Sequence, residues 1–205
     1  MSFYTERIVP WLIHWSMANR EATRLRRLVV PRARGRVLEI GIGSGHNLAH
    51  YAMGARSVIG VDPSAVLLAM AAKAAAQAPV AVGLLRGSAE AIPFDARTFD
   101  TVLTTWTLCS IPDASMALRE MRRVLKPDGT LVFIEHGRAA DAGVARWQER
   151  LNPLWRRCAG GCNINRDIPG LICAAGFAFE RLESGYFVKG PRLLTYQFEG
   201  LARPA

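Results

Sequence analysis

"VLEIGIGSGHNLAHY", residues 37–51, decides the fold. A short apolar run ends in three glycines at alternate positions, Gly41, Gly43 and Gly45. A glycine loop directly after a buried strand brings backbone N–H groups close to a ligand at the carboxyl end of a sheet.

Outward from that loop, strand and helix patterns alternate. "RVLEI" (36–40), "SVIGVD" (57–62), "VAVGLLR" (80–86), "TVLTT" (101–105) and "TLVFIE" (130–135) are short β-rich runs. Their near-continuous apolar character is what parallel strands buried on both faces require. Ser64 is placed to cap a helix over "AVLLAMAAKAAAQ", which is rich in strong helix formers. Leu118, Met121, Val124 and Leu125 recur at helical spacing, and Lys126-Pro127-Asp128-Gly129 stops that helix. A Trp-containing helix over about 142–158 and a short one over about 167–175 follow, then strands near 177–183 and 194–202. The pattern predicts one α/β domain over 1–205: a doubly wound, seven-stranded, mostly parallel Rossmann-like sheet with a C-terminal antiparallel hairpin.

The ligand follows from charge. The dinucleotide fingerprint is G-x-G-x-x-G, whereas this loop reads G-x-G-x-G. Glu39, two residues before the first glycine, would repel a pyrophosphate. It suits a ligand with cationic groups and no phosphate, such as S-adenosylmethionine (SAM). Asp62 ends the second strand, where a carboxylate can take both ribose hydroxyls. The turn after the third strand offers backbone groups near Ser88 and Ala89 to an adenine edge.

"VLEIGIGSG", "VIGVDPS", "GSAEAIPF", "FDTVL" and "EMRRVLKPDGTLVFIEH" together resemble a class I SAM-dependent methyltransferase, over about residues 35–136. The resemblance implies cofactor contacts from Glu39, Gly41, Ile42, Gly43, Gly45, Asn47, Asp62, Pro63, Ser88, Ala89, Thr105 and Trp106. The family often has Asp where this chain has Ser88, which can accept the adenine amino hydrogen bond without the charge.

A narrower resemblance bears on the acceptor. "TLCS" (107–110), "IEHG" (134–137) and "RWQERLNPLWRRCAGGCNINRD" (146–167) are similar to small-molecule thiol S-methyltransferases. Those proteins are membrane-associated in animals and carry a longer N-terminal apolar anchor than this chain. The competing resemblances are to phospholipid N-methyltransferases and quinone C-methyltransferases. The sequence shows no Asn-Pro-Pro-aromatic loop, paired-glutamate loop or nucleic-acid module, so a small-molecule acceptor is expected and nucleic acid is not.

His136, at the end of the fifth strand, is expected to orient the acceptor or take its proton. The plainer alternative is a structural imidazole bonded to backbone. Arg166 could attract an anionic acceptor, or close its segment through a salt bridge. Cys109, Trp147, Trp155, Cys162 and Asn165 are candidates for the acceptor pocket, with residues 140–175 as its cover. Cys109 fits equally a small buried hydrophobe, and the two Trp fit core packing.

Half of the residues are hydrophobic and 21% are charged, an ordinary globular composition rather than a disordered one. The net charge of +9 suits anionic partners. The four cysteines form no CxxC pair, so neither a zinc site nor a disulfide framework is expected, and free thiols suggest a reducing, cytoplasmic setting. Within residues 1–30, Ile8, Trp11, Leu12 and Trp15 fall at helical spacing, followed by Arg20, Arg24, Arg26 and Arg27. That segment reads as a lid over the cofactor, buried on its apolar side, or as a helix lying on an anionic membrane surface at the inner face. The apolar run from Ile8 to Ala18 is interrupted by His14 and Ser16, and falls short of the roughly 20 residues needed to span a bilayer.

Overall fold

The apolar runs become the strands of one seven-stranded sheet in the computed structural model, which describes residues 7–205. The strands are β1 (Gly35–Ile40), β2 (Ala55–Asp62), β3 (Ala81–Arg86), β4 (Phe99–Thr105), β5 (Leu125–His136), β6 (Phe177–Tyr186) and β7 (Tyr196–Pro204). Their spatial order is β3-β2-β1-β4-β5-β7-β6. The first five run parallel, and β7 lies antiparallel between β5 and β6. The expected sheet and its C-terminal hairpin are therefore present.

The helices are α1 (Val9–Met17), α2 (Arg20–Val29), α3 (Ala65–Ala75), α4 (Ala114–Val124), α5 (Ala142–Cys158), α6 (Ile168–Ala174) and α7 (Arg192–Thr195). Ser64 caps α3 by accepting from Leu67 N, as expected, and Asp113 caps α4 by accepting from Met116 N. One face of the sheet packs Leu118, Met121 and Val124 of α4 with Ile168 and Ile172 of α6. The other buries Leu25 and Val29 of α2. Fully enclosed side chains such as Phe99, Leu131 and Phe133 each contribute about 1.5–3 kcal/mol of burial.

The chain winds outward from β1 to β3, then returns to place β4 on the other side of β1. Open α/β sheets bind ligands in the crevice at such a reversal. The carboxyl ends of β1, β2, β4 and β5 bring the glycine loop, Asp62, Trp106 and His136 to one edge.

Three of the boundaries that differ from expectation have a local cause. β5 starts at Leu125, which pairs with Phe99; the register then shifts before Thr101 meets Thr130. The helix-stopping residues 126–129 thus form an irregularity within the strand, held by Lys126 Nζ on Asp100 Oδ1 at 2.6 Å. β7 begins at Tyr196 rather than 194, because Arg192–Thr195 forms a helical turn after Pro191. The N-terminal segment is two helices, broken where Asn19 turns the chain and caps α2 through Ala22 N. The part of the 1–30 segment before residue 7 lies outside the described residues.

The lid reading needs a larger correction. Trp11 is 53% exposed and Trp15 74% exposed, so the apolar side of α1 is not buried. The contacts of α1 with the glycine loop are polar: His14 Nδ1 bonds Ser44 Oγ at 2.8 Å, and its ring stacks on His46. The arginine stripe divides as well, since Arg26 turns inward and is 4% exposed.

Candidate functional site

The glycine loop rests on a buried polar network. Glu39, at the end of β1, accepts from Tyr51 Oη at 2.7 Å and from Asn47 Nδ2 at 2.8 Å. Asn47 Nδ2 also donates to Thr105 Oγ1, and its Oδ1 accepts from Arg26 Nε at 3.0 Å. Burial raises Glu39 to about 7, against the lowering pull of Tyr51, Asn47 and Arg26. Burial likewise lowers Arg26 to about 10, opposed by Glu39. The Arg26 guanidinium also lies 5.0 Å from the Trp106 ring centroid, a cation–π distance. Glu39, Asn47 and Thr105 therefore act together beneath the loop, with Arg26 and Tyr51 as members that sequence reasoning missed. Arg26 looked like one more charge on a surface stripe, and the phenol of Tyr51 carries no motif.

The loop itself is shaped to admit a ligand chain. Gly41 has φ +68° and a Cβ there would collide with the Thr107 side chain, so only glycine lets the loop pass. At Gly43, φ +56°, a Cβ would point into open space, its nearest neighbour being Gly41 O at 3.9 Å. That open cradle, together with the Asp62 carboxylate, fits the SAM expected from the sequence. Ile42 instead packs inward against Gly60 of β2 and is buried. Asp62 Oδ2 accepts from Gly43 N at 3.0 Å and Oδ1 from Ser64 N at 2.8 Å. Each carboxylate oxygen keeps a lone pair for a hydroxyl. Burial raises Asp62 above the ordinary carboxylate range, against these two backbone bonds.

Pro63 is exposed, and its carbonyl accepts from Arg86 Nε. Ser88 Oγ donates to Glu90 Oε2 at 2.8 Å and accepts from Glu90 N, with Ala89 buried beside it. Trp106 sits at φ +50°, a strained conformation for a bulky residue, of the kind that clusters at ligand clamps. Its N–H bonds Ile134 O, so the turn leaving β4 is tied to β5.

Next to that turn lie the residues that the sequence offers for the acceptor pocket. His136 Nε2 is 3.1 Å from Cys162 Sγ, and Trp155 Nε1 donates to the same sulfur at 3.4 Å. The Sγ atoms of Cys109 and Cys162 and a ring nitrogen of His136 all lie within 4.8 Å of one another. Burial alone would lower the imidazole, but the Cys162 bond and the charges of Cys162 and Glu135 hold it above its ordinary value. Cys109 and burial push the Cys162 thiol up. Asn163 Nδ2 and N both donate to Cys109 O, fixing the 159–166 loop against β4's exit.

Arg166 Nη1 donates to the carbonyls of Leu108 and Ile111. It thus closes its segment through carbonyls rather than the salt bridge considered from sequence, with its charge beside the cysteine cluster. Glu135 Oε1 accepts from Thr104 Oγ1 and Thr107 N, while its buried Oε2 has no partner. Two pocket candidates stand apart. Asn165 donates to Glu149 Oε2 on α5. Trp147 is 54% exposed and packs under Arg150, because it falls on the outward face of α5.

A family model described as "Methyltransferase domain" matches residues 38–133. The Homo sapiens thiol S-methyltransferase TMT1A is 30% identical over 176 residues, covering 78% of this chain and 67% of that protein. The demethylmenaquinone methyltransferase of Lactiplantibacillus plantarum is 36% identical over 125 residues, covering 58% and 50%. A solved SAM-dependent methyltransferase from Thermotoga maritima shares the fold with a TM-score of 0.70 at 23% identity, over 98% of this chain and 97% of that one. The chain spans about half to two thirds of the length of its curated relatives.

Proposed function

The chain belongs to the class I SAM-dependent methyltransferases, and from that premise we propose that it methylates the sulfur of a small thiol or hydrosulfide. The observation that carries this reading is the charge at the acceptor end. An imidazole held above its ordinary value and the Arg166 guanidinium stand beside two sulfurs. Such a pocket attracts a thiolate and repels an ammonium headgroup. The resemblance to the human thiol S-methyltransferase supports the same choice.

SAM supplies an electrophilic methyl group on a sulfonium. The N–H groups of Gly41, Gly43 and Gly45 are held by Val61 O, Asp62 Oδ2 and Ile42 O, so the open cradle at Gly43 would receive its carboxylate with the Arg26 guanidinium behind it as the counter-charge. Asp62 would accept the ribose hydroxyls, and Ser88 and Ala89 would meet the adenine. His136 and Arg166 would hold the acceptor as its anion, with Trp155 and Cys162 lining its place. A thiol near pKa 8.5 is already partly ionised at neutral pH, so these residues need to position it and exclude water more than to pull its proton away. The chain then works as one domain in which α1 and α2 form the lid and residues 140–175 the cover.

The exposed Trp11, Leu12 and Trp15 of α1 favour a second reading on location: α1 rests on an anionic membrane surface, as the net charge of +9 would assist. Among the described residues no helix is long and apolar enough to cross a membrane. A surface enzyme could instead methylate phosphatidylethanolamine. S-adenosylhomocysteine release separates the acceptors. Turnover with hydrosulfide or small alkyl thiols is the expected result. Turnover only with phosphatidylethanolamine vesicles would overturn the thiol reading, and SAM binding without turnover on either would leave a binding protein.

A further inference from the structure

Cys109, His136 and Cys162 come from three places in the chain: the turn after β4, the end of β5 and the loop after α5. Their ligand atoms fall within 4.8 Å of one another. In a tetrahedral zinc site with Zn–S near 2.3 Å and Zn–N near 2.05 Å, neighbouring ligand atoms lie roughly 3.5–3.8 Å apart. Closing this cluster onto an ion therefore needs movements of about 1 Å, within reach of side-chain rotation. We propose that these three residues bind one Zn²⁺ ion and leave its fourth coordination position open to the methyl acceptor.

The donor set is two thiolates and one imidazole, a borderline-soft combination that suits zinc and not magnesium or calcium. Three protein ligands with an open fourth position are the pattern of catalytic rather than structural zinc. An outer shell is in place. The Trp155 indole N–H bonds the Cys162 sulfur, and Asn163 fixes the Cys109 carbonyl. Such partners orient ligands and tune their basicity. Cys109 is buried while His136 and Cys162 are half-buried, so the cluster is partly open to solvent.

The consequence for chemistry rests on the thiol reading above. An acceptor thiol that takes the fourth position loses its proton to solvent and stays bound as the thiolate, because a metal deprotonates a coordinating thiol outright. Its sulfur lone pair forms the new bond to the methyl carbon. The old bond to the sulfonium breaks, and its electron pair remains on the cofactor sulfur. The product thioether is neutral and a weaker ligand, so it leaves; zinc is neither oxidised nor reduced. His136 must be neutral to bind the ion, so zinc takes over the part given above to the charge of His136, with the Arg166 guanidinium still beside it.

Cobalt(II) titration of the full, reduced, chelator-treated chain tests the site without an activity assay. One equivalent should give a thiolate-to-cobalt charge-transfer band in the near ultraviolet and tetrahedral d–d bands in the visible, all bleached by Zn²⁺. Cys162→Ser should weaken zinc binding by more than the roughly 10–100-fold that loss of an outer-shell partner costs, and Trp155→Phe by about that amount. Cys173→Ser, at an exposed position, should bind as the parent does. Should Cys162→Ser fail to fold, His136→Ala carries the same comparison. A parent chain that binds cobalt no more tightly than the Cys109→Ser/Cys162→Ser double variant, or that holds the two cysteines as a disulfide, overturns the site. Ethanethiol should then shift the d–d bands; unchanged bands overturn the open position. Shifted bands without S-adenosylhomocysteine release would uphold the metal site and sink the thiol reading alone, whereas thiol turnover by a chain that binds no zinc would do the reverse.

Discussion

Arg26 joins α1 to the glycine loop. It donates to Asn47 Oδ1 and to the Met17 carbonyl, and lies against Trp106. Arg26→Ala leaves Asn47 Oδ1 and the Met17 carbonyl without this donor and removes the cation whose charge favours ionised Glu39, and a buried acceptor left unpaired costs about 1–3 kcal/mol. The variant should be destabilised by about 2 kcal/mol or more and bind SAM at least about tenfold more weakly, read by denaturant melts and calorimetry. Arg26→Lys should not restore affinity, because an ammonium cannot reproduce the planar fork; full restoration would show that charge alone suffices. Glu39 makes a pH prediction. Its folded pKa, about 7 against an ordinary 4.5, is raised, so the folded state holds the proton more tightly. That contribution to stability is complete below about pH 4.5 and is lost as pH climbs toward 7. Glu39→Gln has no such loss. Between pH 4 and pH 8 the stability difference between variant and parent should move toward the variant, by about 3 kcal/mol at most. A pH-independent difference in urea melts would mean that Glu39 does not titrate in this window.

At the scale of elements, what the sequence made legible depended on whether an element's surroundings were already implied by its own pattern. Strands buried on both faces announce themselves as apolar runs, and β1, β2, β3 and β4 fall where expected. The start of β5 did not, because its pairing with Phe99 lies across a register shift that only the neighbouring strand imposes. The pattern of α1 was equally readable, but a helical stripe of Ile8, Trp11, Leu12 and Trp15 does not say whether protein or something else meets it. In the fold the helix docks through His14 on Ser44 and through Val9, and leaves Trp11, Leu12 and Trp15 outside. Replacing those three with Ser should therefore change folding stability by no more than about 0.5 kcal/mol for each substitution. The same change should markedly reduce cosedimentation with anionic vesicles, with the parent's binding falling as salt rises. A large stability loss would instead mean that the stripe is covered by another chain.

Across the whole molecule, the cofactor half of the site was legible because its residues are local: a loop, a strand end and a turn, each next to its own motif. On the other side the sequence offered Cys109, His136 and Cys162 as candidates but not as a cluster. They are separated by tens of residues, and only the folding of the 159–166 loop against the exit of β4 brings them together. Spacing that looked unlike a metal motif along the chain says nothing about such a cluster. Asp62 links the glycine loop to the start of α3 through Gly43 N and Ser64 N, so a cofactor held by its carboxylate would brace that end of the sheet. A ligand bound there stabilises the folded state by about 2.7 kcal/mol at a hundred times its Kd. For a domain of this size, each kcal/mol moves Tm by about 2–4 °C, so saturating SAM should raise Tm by roughly 5–10 °C. Asp62→Asn keeps one acceptor for the backbone but gives up the charge and one acceptor for the ribose. At the same SAM concentration its shift should fall below about 2 °C, whatever its own starting Tm. A variant that shifts as far as the parent would place the ribose away from β2, and with it the whole orientation of the cofactor across the sheet reversal.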